Sequence, residues 1–293
     1  MKFKIFFLLA APVLFTLSAC EKGTDDEIPS YISIDKIDLG TNTDIEGGEG
    51  SIISPNIKDA WVYVDNEFIG NFELPATIPI LKSGTHTLRV DAGILINGIN
   101  GLRAAYPFYT SFNKQVELVK KETLKITTDP KITYYKETKF AWKENFEGGI
   151  SVDSISGSST QMQKCTDPTI VYEGDGCGAI YLDGDHQIFQ GVSNGKFVLP
   201  KGGNFIFLEI NVRTDNELAI GIQAFDASGN GAQIAPVGIN NTKGEWKKIY
   251  VNLTSYVSRY ETAVNYKIFF GAVKDDALST ASIFLDNIKL VHF

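Results

Sequence analysis

Apolar and polar residues alternate along this chain with a period of two, in short runs bounded by Gly, Asn, Asp or Pro. Successive strand residues point to opposite faces, so this period predicts half-buried β-strands, and no segment keeps a 3.6-residue period for three turns. The chain is therefore expected to be all-β. In the first half the pattern predicts strands over 31–39, 60–65, 68–74, 85–91, 115–119 and 123–128. In the second half it predicts longer ones over 178–182, 204–213, 217–225, 245–253, 265–273 and 281–291. Asp129-Pro130 and then Lys136-Glu137-Thr138 interrupt the series, which divides it into β-sandwich domains of residues 31–136 and 137–293.

The long strands assign faces to their side chains. Over 204–213, Ile206, Leu208, Ile210 and Val212 make one apolar face and leave Phe205, Phe207, Glu209, Asn211 and Arg213 on the other. Over 217–225, Leu218, Ile220 and Ile222 turn inward, and Ala219, Gly221, Gln223 and Phe225 turn away. The short Thr214-Asp215-Asn216 connection suggests that these two strands pair. Over 245–253, Ile249, Val251 and Leu253 are core, while Trp246, Lys248, Tyr250 and Asn252 point outward. The outward set forms an expected shallow trough with Glu209, Asn211, Gln223, Trp246, Lys248 and Tyr250 as ligand-binding residues. Flat aromatic faces beside carboxylate and amide groups suit sugar rings, which stack on one side and hydrogen-bond at their hydroxyls. An ordinary one-sided sheet is polar on that face too.

The N-terminus departs from the β pattern. Lys2 and Lys4 precede an apolar stretch from Ile5 to Leu17, too short to span a bilayer and followed by small residues, as in a secretory signal. Leu17-Ser18-Ala19-Cys20 resembles the lipobox of bacterial lipoproteins, which implies removal of residues 1–19 and acylation of Cys20 as a membrane anchor. Residues 20–30 read as a solvated tether. Their acidic cluster resembles a signal that sends some Gram-negative lipoproteins to the outer face of the outer membrane, with the periplasmic face as the alternative. The formal charge of −8 over the whole chain argues against nucleic acid as a ligand. Cys165 and Cys177 remain, either as a disulfide in an oxidising compartment or as two small buried apolar residues.

Two further resemblances concern the β regions. Residues 61–70, Leu74-Pro75-Ala76 and residues 83–90 resemble the PEGA family of small envelope β domains, which implies a non-enzymatic module; Asp65-Asn66 and Ser83-Gly84 then read as tight hairpins in a meander. Phe146-Glu147-Gly148, Gly244-Glu245-Trp246 and residues 284–290 resemble the jelly-roll of carbohydrate-binding modules. That resemblance implies a polysaccharide or oligosaccharide ligand and a structural calcium held by Glu147 and Asp286. No other cofactor is expected.

Motifs for catalysis fail on context. Gly191-Val192-Ser193-Asn194-Gly195 matches a nucleophile elbow, but a helix must follow the serine, and Lys196-Phe197-Val198-Leu199-Pro200, a strand ending in proline, follows instead, so the motif reads as a hairpin turn. Asp226 to Gly231 resembles the start of a calcium loop, yet Val237 stands where the bidentate Glu belongs. His86, His186 and His292 are isolated from one another. The expectation is a non-catalytic, membrane-anchored lipoprotein that binds glycan through its C-terminal jelly-roll. The rival is a structural or adhesive envelope protein that binds another protein by strand edges or by the aromatic run from Tyr106 to Phe112. A glycoside-active enzyme comes third.

Overall fold

The computed structural model describes residues 28–126 and 131–293. The signal segment, Cys20 and residues 20–27 of the tether lie outside the described residues. The chain is all-β, with one short helix among the described residues and no helix there long and apolar enough to cross a membrane.

The N-terminal strands are β1 (Ser30–Ile34), β2 (Asp38–Leu39), β3 (Asp59–Val64), β4 (Glu67–Glu73), β5 (Ala76–Ile80), β6 (Gly84–Leu95), β7 (Arg103–Ala105), β8 (Phe112–Leu118), β9 (Thr123–Lys125) and β10 (Lys131–Ile132). They form a sheet of order β4-β3-β6-β7, with β8 also on β6, and a second sheet β5-β1-β9. Asp65 and Asn66 both hold positive φ, the geometry of the predicted tight turn between β3 and β4. The second hairpin does not form. β5 leaves for the other sheet to pair with β1, and β6 returns beside β3, so the segment is a crossover and not a meander. The alternation explains it: Ile78 and Ile80 are buried with Ile32 and Ile34, and two sheets are needed to cover both rows.

The C-terminal strands are β11 (Lys139–Glu144), β12 (Val152–Ser154), β13 (Gln163–Cys165), β14 (Cys177–Leu182), β15 (Ile188–Ser193), β16 (Ile206–Thr214), β17 (Leu218–Phe225), β18 (Gly231–Ile239), β19 (Lys247–Asn252), β20 (Asn265–Val273) and β21 (Ala281–His292), with α1 (Thr254–Arg259) between β19 and β20. One sheet runs β13-β14-β21-β16-β19 with β11 also on β21; the other runs β12-β15-β20-β17-β18. Ile206, Leu208, Ile210 and Val212 face Leu218, Ile220 and Ile222 across a single core, as the alternation predicted. The expected pairing of β16 with β17 is overturned. Thr214-Asp215-Asn216 carries the chain from one sheet to the other, and the buried Thr214 and Asn216 hold it there through their own backbone-directed hydrogen bonds.

Candidate functional site

The predicted trough divides into three places. Glu209, Asn211, Lys248 and Tyr250 do share the outer face of β16 and β19, but that face is covered by the N-terminal strands. Glu209 is wholly buried and accepts hydrogen bonds from the hydroxyls of Tyr106 (2.8 Å) and Tyr134 (2.8 Å), while the Lys248 ammonium lies 2.8 Å away. Tyr250 meets Tyr109 hydroxyl to hydroxyl at 2.9 Å and also reaches the Pro55 carbonyl. Phe207, Tyr250 and Val291 thereby join the N-terminal core. Asn211 is 2% exposed. Glu209, Lys248 and Tyr250 thus meet residues of the N-terminal strands and do not line an open trough, and Asn211 is buried on the same face. The run from Tyr106 to Phe112 fills the same contact: Tyr106, Phe108 and Tyr109 are buried there and are not a free adhesive surface.

The electrostatics are those of a paired buried charge. Burial alone would raise the Glu209 pKa, but Lys248 and Lys289 outweigh it and hold the carboxyl below its usual value. Burial drives Lys289 the other way, down to about 8, with Glu209 opposing.

The other half of the expected trough is open, and it lies on the opposite sheet. Ala219, Gly221, Gln223 and Phe225 face outward from β17 and pair with Gly271, Phe269, Lys267 and Asn265 of β20. Gln190 of β15 stands opposite Gly271 on the far side. The Phe269 ring lies across Gly271, where a Cβ would come within 2.9 Å of it, so glycine there lets an aromatic ring lie flat on the sheet. With Glu217, Ile188 and Val273 as walls, these residues enclose a trough of about 370 Å³. Gln223 sits farther along the same face, where its amide donates to Gln233 Oε1 at 2.7 Å. The sequence alone did not point to Gln190, Glu217 or Phe269. Strand β15 reads as a turn because Gly191 and Gly195 flank Ser193, and without β15 there is no second wall.

Trp246 occupies a third position. Its indole donates to the Ile170 carbonyl (2.9 Å) and its ring tilts against Tyr172 at 5.3 Å between centroids, beside a cleft that the N-terminal strands complete.

The two carboxylates expected to hold calcium come to one end of the first sheet. Asp286 is fully buried, accepting the backbone N–H of Asn287 (2.7 Å) and of Glu173 (3.2 Å). Burial pushes its pKa up to about 7, and the carboxylates of Glu173 and Glu147 add to that. Glu147 accepts the Asp175 N–H (2.9 Å), and with Glu173, Asn145, Asn287 and Ser51 it lines a cavity of about 160 Å³. No lysine or arginine pairs with these carboxylates among the described residues. The donor set is all oxygen and anionic, which fits a hard cation. In this arrangement, however, no three carboxylate, imidazole or thiol groups among the described residues converge closely enough to hold a metal ion.

Cys165 and Cys177 stand directly opposite each other in the β13–β14 register, as free thiols. Burial, with Cys165 and Asp286 adding to it, lifts the Cys177 thiol to about 12. Ser193 is buried within β15, where its hydroxyl donates to the Gly195 carbonyl and accepts the Ile268 N–H; it is a strand residue and not the hairpin turn expected. Asp226 caps its own turn by accepting the N–H groups of Ser228 and Asn230, both at 2.9 Å.

No protein-family model matches the chain, and no curated protein matches it. Among solved structures, it is similar to the CBM22-1 xylan-binding domain from Paenibacillus barcinonensis Xyn10C, at 11% identity and a TM-score of 0.38 over 53% of this chain and 94% of that one. It is similar to TmCBM61, solved in complex with β-1,4-galactotriose, at 16% identity and a TM-score of 0.35 over 53% of this chain and 99% of that one. It is also similar to the K3 cleaved adhesin domain of Lys-gingipain from Porphyromonas gingivalis, at 18% identity and a TM-score of 0.34 over 53% and 98%.

Proposed function

We propose that this chain is a non-catalytic lipoprotein, anchored in the outer membrane through Cys20, that holds a polysaccharide or oligosaccharide in the trough on β15, β20 and β17. The observation that carries the reading is the trough itself: a floor at Gly271 between the Gln190 amide and the Glu217 carboxylate, with the Phe269 ring packed along it at 4% exposure. A pyranose can lie along such a floor, where carboxylate and amide groups accept from and donate to its hydroxyls. Calorimetric titration of the mature chain with neutral xylan, galactan and glucan oligosaccharides tests it. Gln190→Ala and Glu217→Ala should each weaken binding by about tenfold, the order expected for loss of one or two such hydrogen bonds. Failure of all these glycans to bind, or indifference to both substitutions, would remove the trough from consideration. Detergent partitioning of the parent, lost in Cys20→Ala, tests the anchor.

A second reading, in which the partner is a protein, draws support from the N-terminal outer face. There Phe68 is 49% exposed and stacks on Trp61 at 5.5 Å. Loss of partner capture on Phe68→Ser, with glycan binding intact, is the result that reading requires.

A further inference from the structure

A cleft of about 500 Å³ lies where the N-terminal strands meet β19 and the segment before β14. We infer that it is a second ligand site, one that takes a saccharide bearing an anionic substituent. Three observations converge on it. The first is that the cleft is built and not incidental. Ile96 makes a β-bridge to Tyr250, the Asn97 N–H donates to the Tyr250 carbonyl (2.8 Å), and Asn97 Oδ1 accepts the Asn252 N–H (2.9 Å). Asn56 donates to the Lys248 carbonyl at 2.9 Å. Both walls are thus pinned to the same strand.

The second observation is the aromatic pair. Trp246 is held by its bond to Ile170, so its ring is fixed before any ligand arrives, and Tyr172 sets the angle of a second plane beside it. A preset pair of rings costs a ligand little ordering entropy.

The third is charge. Lys58 and Lys247 both line the cleft and are exposed, and among the described residues neither ammonium has an ion-pair or hydrogen-bond partner. Lys248 does not add to them, since its ammonium turns inward to Glu209. Glu245 is the only acidic residue among those lining the cleft, which leaves a net positive pocket on a chain whose formal charge is −8. A sugar ring stacked at Trp246 would carry its carboxylate or sulfate toward the two lysines.

The site is separate from the trough, and its test reads the two independently. The mature full-length chain is titrated with an oligogalacturonide, with its full methyl ester and with a sulfated galactan oligosaccharide, followed by calorimetry and tryptophan fluorescence. The acidic probes should bind, the better of the two identifying the anion, and binding should weaken as salt rises. The double variant Lys58→Gln/Lys247→Gln, at exposed positions, should weaken it by about tenfold or more, and Trp246→Ala should do the same. Gln190→Ala and Glu217→Ala should leave it unchanged. Equal affinity for the methyl ester, affinity unmoved in the lysine double variant, or no binding of either acidic probe would overturn the inference.

Discussion

Glu209 shows how far a single side chain's setting can depart from what its own strand implies. Period two places it off the core, correctly, but whether an off-core carboxylate meets water or protein depends on Tyr106 and Tyr134, 103 and 75 residues upstream in sequence. No local pattern carries that information. Glu209 is paired with the buried Lys248 ammonium, and burial depresses the pKa of a second lysine that it also attracts, Lys289. The Lys289 pKa falls from 10.5 to about 8 in the fold, so between those values the unfolded chain binds more protons and stability rises with pH. The stability of the parent relative to Lys289→Met should therefore increase from pH 8 to pH 10 in denaturant titrations; a flat or falling difference would contradict the depressed pKa. Calcium belongs to this scale too. The Glu147 and Glu173 carboxylates both raise the Asp286 pKa, and none of the three meets a lysine or arginine side chain among the described residues. They do not converge on one point in this arrangement, so calcium that drew them together should raise the melting temperature of the full-length protein, and Asp286→Asn should abolish the rise. Identical melts with calcium and with chelator would exclude the ion.

Among the elements, the strands that alternation revealed are those with one clean apolar row. Strands β16, β17, β20 and β21 were legible because Ile, Leu, Val and Phe recur at every second position facing the core. Strand β18 was missed for a physical reason. It bears Gly231, Pro236 and Gly238, and its register with β17 shifts between Ile220 and Ile222, so its alternation is broken. At that irregularity Gly221 passes under the neighbouring backbone: a Cβ there would sit 1.9 Å from the Ile234 carbonyl oxygen. Gly221→Ala should thus cost more than a surface substitution, about 2–4 kcal/mol in urea unfolding, because backbone and not a flexible side chain must yield. It should also disturb the trough, since Gly221 pairs with Phe269. A variant as stable as the parent would show that β18 is free to shift.

At the scale of the whole molecule, the two sandwiches share a contact made largely of tyrosine and phenylalanine. Charge and proline suggest a division near residue 136, but no sequence pattern reveals the contact, because it joins the outward faces of strands that each look solvated by themselves. The fragment 137–293 should accordingly expose Phe207, Tyr250 and Val291, bind a hydrophobic dye and self-associate, whereas the full chain should do neither. A monomeric, dye-silent fragment with the parent's melting temperature would show the contact to be dispensable. Strand β21 has a further consequence. It pairs with β11, β14 and β16, it gives Ile283, Leu285, Ile288 and Leu290 to one core and Val291 to the other, and the Phe293 ring behind it meets Phe108 at 4.7 Å. Because translation runs from the N-terminus, this strand emerges from the ribosome after every other described strand. The β13-β14-β21-β16-β19 sheet cannot form while it is missing, so in a nascent chain β11, β14 and β16 lack their common partner until synthesis has passed residue 292.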